Sequence, residues 1–207
     1  MLIGVCGLEG SGKDTIGDYL VKNYGFVNIR FADLLKDIVS IIFGWKRELL
    51  EGATIESREF REKKDEWWTK KLGMYISPRI ILQKVGTELF RNNFHKDIWR
   101  IIVERKIENY INDSKNIVIT DCRFMNEIEM IKQYKGTVLF VKRNLPEWFD
   151  LYRKGEIEKP THVHDSEAEW ARYRFDYSVD NNSSVGDLYE KVQNVYKSIL
   201  EEFIHDT

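Results

Sequence analysis

Apolar residues along this chain follow two different periodicities. Three short runs, Leu2 to Cys6, Ile117 to Ile119 and Val138 to Val141, are continuously apolar. A half-exposed strand would alternate; an uninterrupted run marks a strand covered on both faces, as in a parallel sheet. Val27 to Phe31 and Tyr177 to Val179 are weaker runs of the same kind and bring the expected strands to five. Between them the spacing turns helical. Ile16, Tyr19, Leu20 and Tyr24 fall on one helical face, and Gly25 follows as a C-terminal stop. Ser77 before Pro78 reads as an N-cap with proline at the first helical position, and Trp99, Ile102, Val103 and Ile107 mark a helix that feeds the third strand. Leu188, Val192, Val195, Ile199 and Phe203 recur at steps of three or four, predicting a long C-terminal helix packed on the sheet. Strands alternating with helices predict an α/β fold with a five-stranded parallel sheet flanked by helices.

Two segments fit that alternation poorly. More than eighty residues separate the second and third strands, too many for one crossover helix, and they include the run SREFREKKDEWWTKK at Ser57 to Lys71. The expectation is one domain over residues 1–207 with a helical insertion over 33–98, in which Trp67 and Trp68 serve core packing. After the fourth strand, residues 142–167 mix basic side chains with Pro146, Gly155 and Pro160, which predicts a mobile lid.

Composition changes this picture little. The chain has 207 residues, 43% of them hydrophobic, enough for a substantial core without disulfides. Lys and Arg number 32 against 34 Asp and Glu, a net charge of -2, so no overall field favours nucleic acid or an anionic membrane. The two cysteines, Cys6 and Cys122, fall in or beside buried strands and read as reduced core thiols. The apolar MLIGVCG start lacks the pattern of a signal peptide, and no run approaches the roughly 20 apolar residues of a membrane helix. A soluble, cytoplasmic protein is expected, with a homodimer left open.

The chemistry concentrates after the first strand. GLEGSGKDT, Gly7 to Thr15, is a phosphate-binding loop placed between a strand and a helix. Gly7, Gly10, Ser11 and Gly12 turn backbone N–H groups toward a phosphate, the helix adds its positive end, and Lys13 supplies a point charge. Asp14 stands where the usual motif has a magnesium-binding hydroxyl, and Thr15 comes one place late. Nucleoside monophosphate kinases of the adenylate kinase kind are similar in having GKGT. Asp14 is expected either to orient the metal shell or to act only as a helix-start carboxylate. The third strand ends in VITDCR, placing Asp121 at the carboxyl edge, where it could hold Mg²⁺ through water, with Arg123 beside it. Lys36 and Arg79 are cations at element ends. His162 and His164 have no third ligand at zinc spacing and are expected to orient lid groups, with Ser166 or Asp165 capping the next helix.

The stretches GSGKDTIGDYL, FADLLK, SPRIILQKVGTELFRNNFHKDIW, ITDCRFMNE and THVHDSE occur in an order that resembles the deoxynucleoside monophosphate kinases of tailed bacteriophages and some large viruses. The resemblance covers Met1 to about Glu167. It implies a P-loop kinase that transfers the γ-phosphoryl of ATP to a deoxynucleoside 5′-monophosphate with Mg²⁺, in the host cytoplasm where a virus encodes it. It implies Lys13 at ATP, Lys36 and Arg79 at the acceptor phosphate, and Gln83, Trp99, Asp121 and Arg123 around the acceptor. Asp14, Thr15 and Asp121 form the expected metal set. Arg143, Arg153 and Lys154 are the lid candidates for the transferring group, Arg143 and Arg153 foremost. Two alternatives stay open: a related small-molecule kinase resembling the dephospho-coenzyme A kinases, and a nucleotide-binding regulator without transfer activity.

Overall fold

In the computed structural model, which describes residues 1–161, 163 and 165–205, the five apolar runs form a parallel sheet. Its strands are β1 (Leu2–Cys6), β2 (Val27–Ile29), β3 (Ile117–Ile119), β4 (Thr137–Lys142) and β5 (Tyr177–Asp180). Their order is β2-β3-β1-β4-β5, every neighbouring pair parallel. The helices are α1 (Lys13–Tyr24), α2 (Asp33–Phe43), α3 (Ile55–Glu62), α4 (Glu66–Leu72), α5 (Pro78–Gln83), α6 (Ile98–Asn112), α7 (Met125–Gln133), α8 (Glu147–Lys154), α9 (Asp165–Ala168) and α10 (Val185–His205). The chain divides into two compact units, one of Met1–Arg30 with Val103–Thr207, the other of Phe31–Ile102.

The first unit contains the sheet. β1 pairs on both sides, Gly4 aligning with Ile119 and with Val138, and all five of its residues are buried. That is why its sequence is apolar without interruption. Ile3, Val5, Leu139, Val141 and Val179 pack on one face against Ile16 and Leu20 of α1 and Leu188, Val192 and Ile199 of α10. Each such side chain contributes about 1.5–3 kcal/mol by leaving water. Helix α1 stops where expected: Gly25 is left-handed, φ 68°, and its N–H reaches the carbonyls of Leu20 and Val21. The thiols of Cys6 and Cys122 are free and buried, and burial pushes the Cys122 thiol well up.

The other face carries an aromatic cluster. Phe140 of β4 lies 5.7 Å from Phe149, 5.5 Å from Trp170 and 4.9 Å from Phe175, centroid to centroid. Phe149 and Trp170 are fully buried. The segment expected as a lid therefore contains α8, whose apolar side chains anchor it to the sheet. His162 and His164 lie outside the described residues, and the side chains of Asp165 and Ser166 are outside them too.

Tyr177, at the start of β5, donates its hydroxyl to Glu202 of α10 at 2.5 Å. Burial, then that carboxylate, push its phenol up to about 12 from 10.0. The protonated phenol is the form the fold favours, so its contribution is complete below pH ~10 and is lost as pH rises toward ~12. Thermal melts of wild type and Tyr177→Phe should differ most near pH 8–9 and converge as pH climbs through that window; a gap constant to pH 12 rejects the linkage.

The second unit is helical. Val39, Trp45, Leu50, Ile76, Ile81 and Leu82 form its buried core, with Phe43, Phe60 and Trp68 packed around them. Trp45 donates its indole N–H to Asp65 at 2.8 Å, and Trp68 donates to the Phe43 carbonyl at 3.1 Å. Trp67, its neighbour, is 59% exposed, because adjacent residues on a helix point in different directions. Ser77 caps α5 by accepting from the Ile80 N–H, with Pro78 at the first turn. The chain then continues as a π-helix over Lys84–Asn92. Among the described residues no helix is long and apolar enough to cross a membrane.

Candidate active site

The phosphate-binding loop follows β1 and ends in Gly12, which has φ 103° and opens α1. A side chain there would meet more than strain: a Cβ on Gly12 would lie 2.4 Å from the Asn181 amide nitrogen. Asn181 is in that position for a reason. It follows β5, is buried, donates its side-chain N–H to the Ser11 carbonyl at 2.8 Å, and donates its backbone N–H to Lys142 at the end of β4. The loop is thus braced from the two strands beyond it. Arg143, just after β4, donates to the Gly10 carbonyl at 3.3 Å.

Lys13 folds over the loop and donates to the carbonyls of Gly7 at 2.8 Å and Leu8 at 2.7 Å. Burial lowers its ammonium from the usual value, and the positive charge of Arg123 lowers it further, against the opposing pull of Glu167 and Asp14. Arg123 is itself paired with Glu167. Its backbone is fixed by Glu127, whose buried carboxylate accepts from the Arg123 and Phe124 N–H groups at 2.8 and 3.2 Å. That carboxylate caps α7 and sets the path of the chain after Asp121.

Asp14 lies on the exposed side of the first turn of α1. One of its carboxylate oxygens accepts from the Thr120 hydroxyl at 3.2 Å and lies 3.2 Å from the Arg30 guanidinium. It therefore ties the loop to the ends of β2 and β3. Among the described residues no three His, Cys, Asp or Glu side chains gather as a metal site.

In the second unit, Lys36 is almost buried in α2 and pairs with Glu51 at 2.6 Å. Burial pushes the Glu51 carboxyl up, but hydrogen bonds and charge from Lys36 and Arg47 prevail and hold it below its ordinary value. Arg79, in the first turn of α5, pairs with Glu62 at 2.7 Å, and Gln83 at the end of that helix is exposed. Trp99 is buried and donates its indole N–H to the Gly86 carbonyl within the π-helix at 2.9 Å. In the first unit, Arg153 donates Nε to the Ala171 carbonyl at 3.0 Å and lies over the Phe140 ring.

The structure thus gathers Lys13, Asp14, Arg123 and Arg143 around one loop. Arg30, Thr120, Asn181 and Glu167 join them, and sequence reasoning missed all four as site residues. Their contacts span up to 170 positions, so no local spacing announces them.

Residues 47–192 match the deoxynucleotide monophosphate kinase family. The chain is 29% identical over 202 residues to a protein of Acanthamoeba polyphaga mimivirus proposed to be a deoxynucleotide monophosphate kinase, covering 93% of this chain and 94% of that one. It is 30% identical over 182 residues to the deoxynucleoside-5′-monophosphate kinase of Escherichia phage T5, covering 64% and 72%. Among solved structures, dephospho-CoA kinase from Campylobacter jejuni aligns with a TM-score of 0.52 at 15% identity over 96% of each chain, a likeness of fold. With a braced phosphate loop on a five-stranded parallel sheet and a family match over most of its length, the chain belongs to the deoxynucleotide monophosphate kinase family.

Proposed function

We propose that the protein transfers the γ-phosphoryl of ATP to the 5′-phosphate of a deoxynucleoside monophosphate, releasing ADP and the diphosphate. The observation that carries this reading is the lysine of the phosphate loop, poised on the Gly7 and Leu8 carbonyls in a chain of this family. A phosphate chain entering the loop gives Lys13 anionic oxygens in place of those neutral carbonyls and removes the cost of holding a buried ammonium. The backbone N–H groups around Gly10 to Gly12 hold the donor phosphates. Arg143, already at Gly10, takes the transferring group. Lys36 and Arg79 take the acceptor phosphate, each exchanging a carboxylate partner for it. Gln83, Trp99 and Arg123 belong to the acceptor nucleoside. In-line transfer asks for positioning and charge neutralisation more than covalent help, and these groups supply both.

The donor set fits Mg²⁺. Thr15 and Asp121 offer hard oxygens, and magnesium bound with nucleotide phosphates needs only one or two protein carboxylates. When bound, the ion neutralises charge on the β and γ phosphates. Asp14, engaged by Arg30 and Thr120, positions these elements rather than ligating directly. Asp14→Ser should retain measurable activity and shift the Mg²⁺ dependence of turnover. An unchanged magnesium titration leaves Asp14 as a helix-start carboxylate alone.

A coupled assay of ADP formation over a panel of acceptors tests the reading. ADP formation that depends on deoxynucleoside monophosphates supports it; dependence on dephospho-coenzyme A transfers the activity to that class. ATP binding without turnover on any acceptor makes the chain a regulator.

A further inference from the structure

A second concentration of positive charge lies in the first unit, apart from the phosphate loop. Asp150, Arg153, Lys154, Arg172, Tyr173 and Arg174 line a cavity of about 390 Å³ between α8 and the segment that enters β5. Two residues beyond Arg174, Asp176 donates its N–H to the Val138 carbonyl and accepts the Val138 N–H on its carboxylate, near the start of β4. The phosphate loop leaves the opposite, carboxyl end of β1.

Two of these cations are held in a reciprocal arrangement. Arg153 donates Nε to the carbonyl of Ala171, the residue before Arg172, at 3.0 Å. Arg172 donates Nε to the carbonyl of Tyr152, the residue before Arg153, at 3.1 Å. Each guanidinium also lies on an aromatic ring: Arg153 5.2 Å from the Phe140 centroid, Arg172 4.2 Å from that of Tyr152. The inner nitrogen of each fork is fixed while the outer N–H groups keep their donor capacity, apart from a long 3.5 Å contact from Arg172 to the Ile157 carbonyl. Several arginines elsewhere are ion-paired, as in Arg30 with Asp14, Arg47 with Asp37 and Arg79 with Glu62. Among the described residues, none of the four cations at this cavity has a carboxylate within ion-pairing distance. Gathering like charges in fixed positions is unfavourable unless an anion joins them.

We propose that this cavity is a second binding site for a triphosphate chain, as carried by a nucleoside triphosphate. Arg153 and Arg172 would grip phosphate oxygens with preorganised forks, and Arg174 and Lys154 would neutralise the remaining charge. Four cations against one carboxylate suit a polyanion better than a single phosphate, and the volume lies in the range of whole small-molecule sites. The claim is independent of which acceptor the kinase uses.

The test is calorimetry with inorganic tripolyphosphate on the full chain, with a deoxynucleoside triphosphate as a parallel arm. Wild type should bind two equivalents of tripolyphosphate. Arg174→Gln, which removes a side chain with no hydrogen bond or ion pair of its own among the described residues, should weaken one of the two sites at least about tenfold and leave transfer from saturating ATP unchanged. Arg172→Gln should weaken the same site, and Lys13→Ala the other. Tighter binding of the deoxynucleoside triphosphate at the second site assigns it to nucleotides; equal binding assigns it to the phosphate chain alone. One equivalent in the wild type, or two sites of unaltered affinity in both arginine variants, overturns the proposal.

Discussion

Lys13→Ala should lose at least roughly 10²-fold in turnover while keeping its fold, because one preorganised charge on a transferring phosphoryl group is worth that much or more. The two consequences are separable. For stability, Lys13 contributes hydrogen bonds to the Gly7 and Leu8 carbonyls, each worth about 1 kcal/mol net. Against them stands the burial that lowers its pKa and the repulsion from Arg123, both of which vanish with the ammonium. The loop is also held from elsewhere, by Asn181 at Ser11 and Arg143 at Gly10. The variant should therefore melt within a few degrees of wild type. For catalysis neither neighbouring cation replaces it: Arg123 is paired with Glu167, and Arg143, held at the Gly10 carbonyl, is the group assigned to the transferring phosphoryl. Single-turnover measurement of γ-phosphoryl transfer, beside a thermal melt, decides the matter. Near-normal transfer would sink the assignment of this loop to ATP; lost transfer with a lost fold would show that Lys13 is structural.

How much of this was legible beforehand depends on whether the signal is local. β1, β3 and β4 could be read because strands covered on both faces need no polar positions, and α1 because Gly25 marks its end. The phosphate loop could be read because its glycines, lysine and flanking elements lie within a few residues of one another. The bracing of that loop could not. Asn181 looks like an ordinary turn residue in DNN, and only the parallel order β1-β4-β5 brings it to Ser11. Asp14 poses its own question in sequence, but its partners Arg30 and Thr120 end two other strands. The segment after β4 carries the opposite lesson. Its proline, glycine and charges predict a mobile lid, while Phe149 packs on Phe140 of β4 and Tyr152, at the three-residue spacing of a helix, is buried as well. Trp67 and Trp68 form a pair in sequence, yet helix geometry sends only the second inward.

Arg79→Ala should cost about 2–3 kcal/mol in kcat/KM for the deoxynucleoside monophosphate, or roughly 30- to 150-fold, the loss of a charge-assisted contact to phosphate. The planar fork can meet a phosphate through two parallel N–H groups, which neither water nor lysine reproduces. The structure bears on how the experiment should be read. Arg79 pairs with Glu62, a largely exposed carboxylate, so the pair itself is worth only about 0–1 kcal/mol and the variant should stay folded. The helix keeps its Ser77 cap and Pro78 start, which do not involve the Arg79 side chain. Glu62 also competes with the acceptor phosphate for the same guanidinium. Glu62→Gln should therefore leave acceptor binding unharmed or tighten it, the reverse of the arginine variant, although both break the same ion pair. Opposite effects separate an acceptor contact from a structural one, which would move in the same direction with either partner removed. ATP affinity should be unchanged in both variants. If instead ATP affinity falls in Arg79→Ala while acceptor kinetics hold, Arg79 serves the donor, and the assignment of Lys36 and α5 to the acceptor phosphate fails with it.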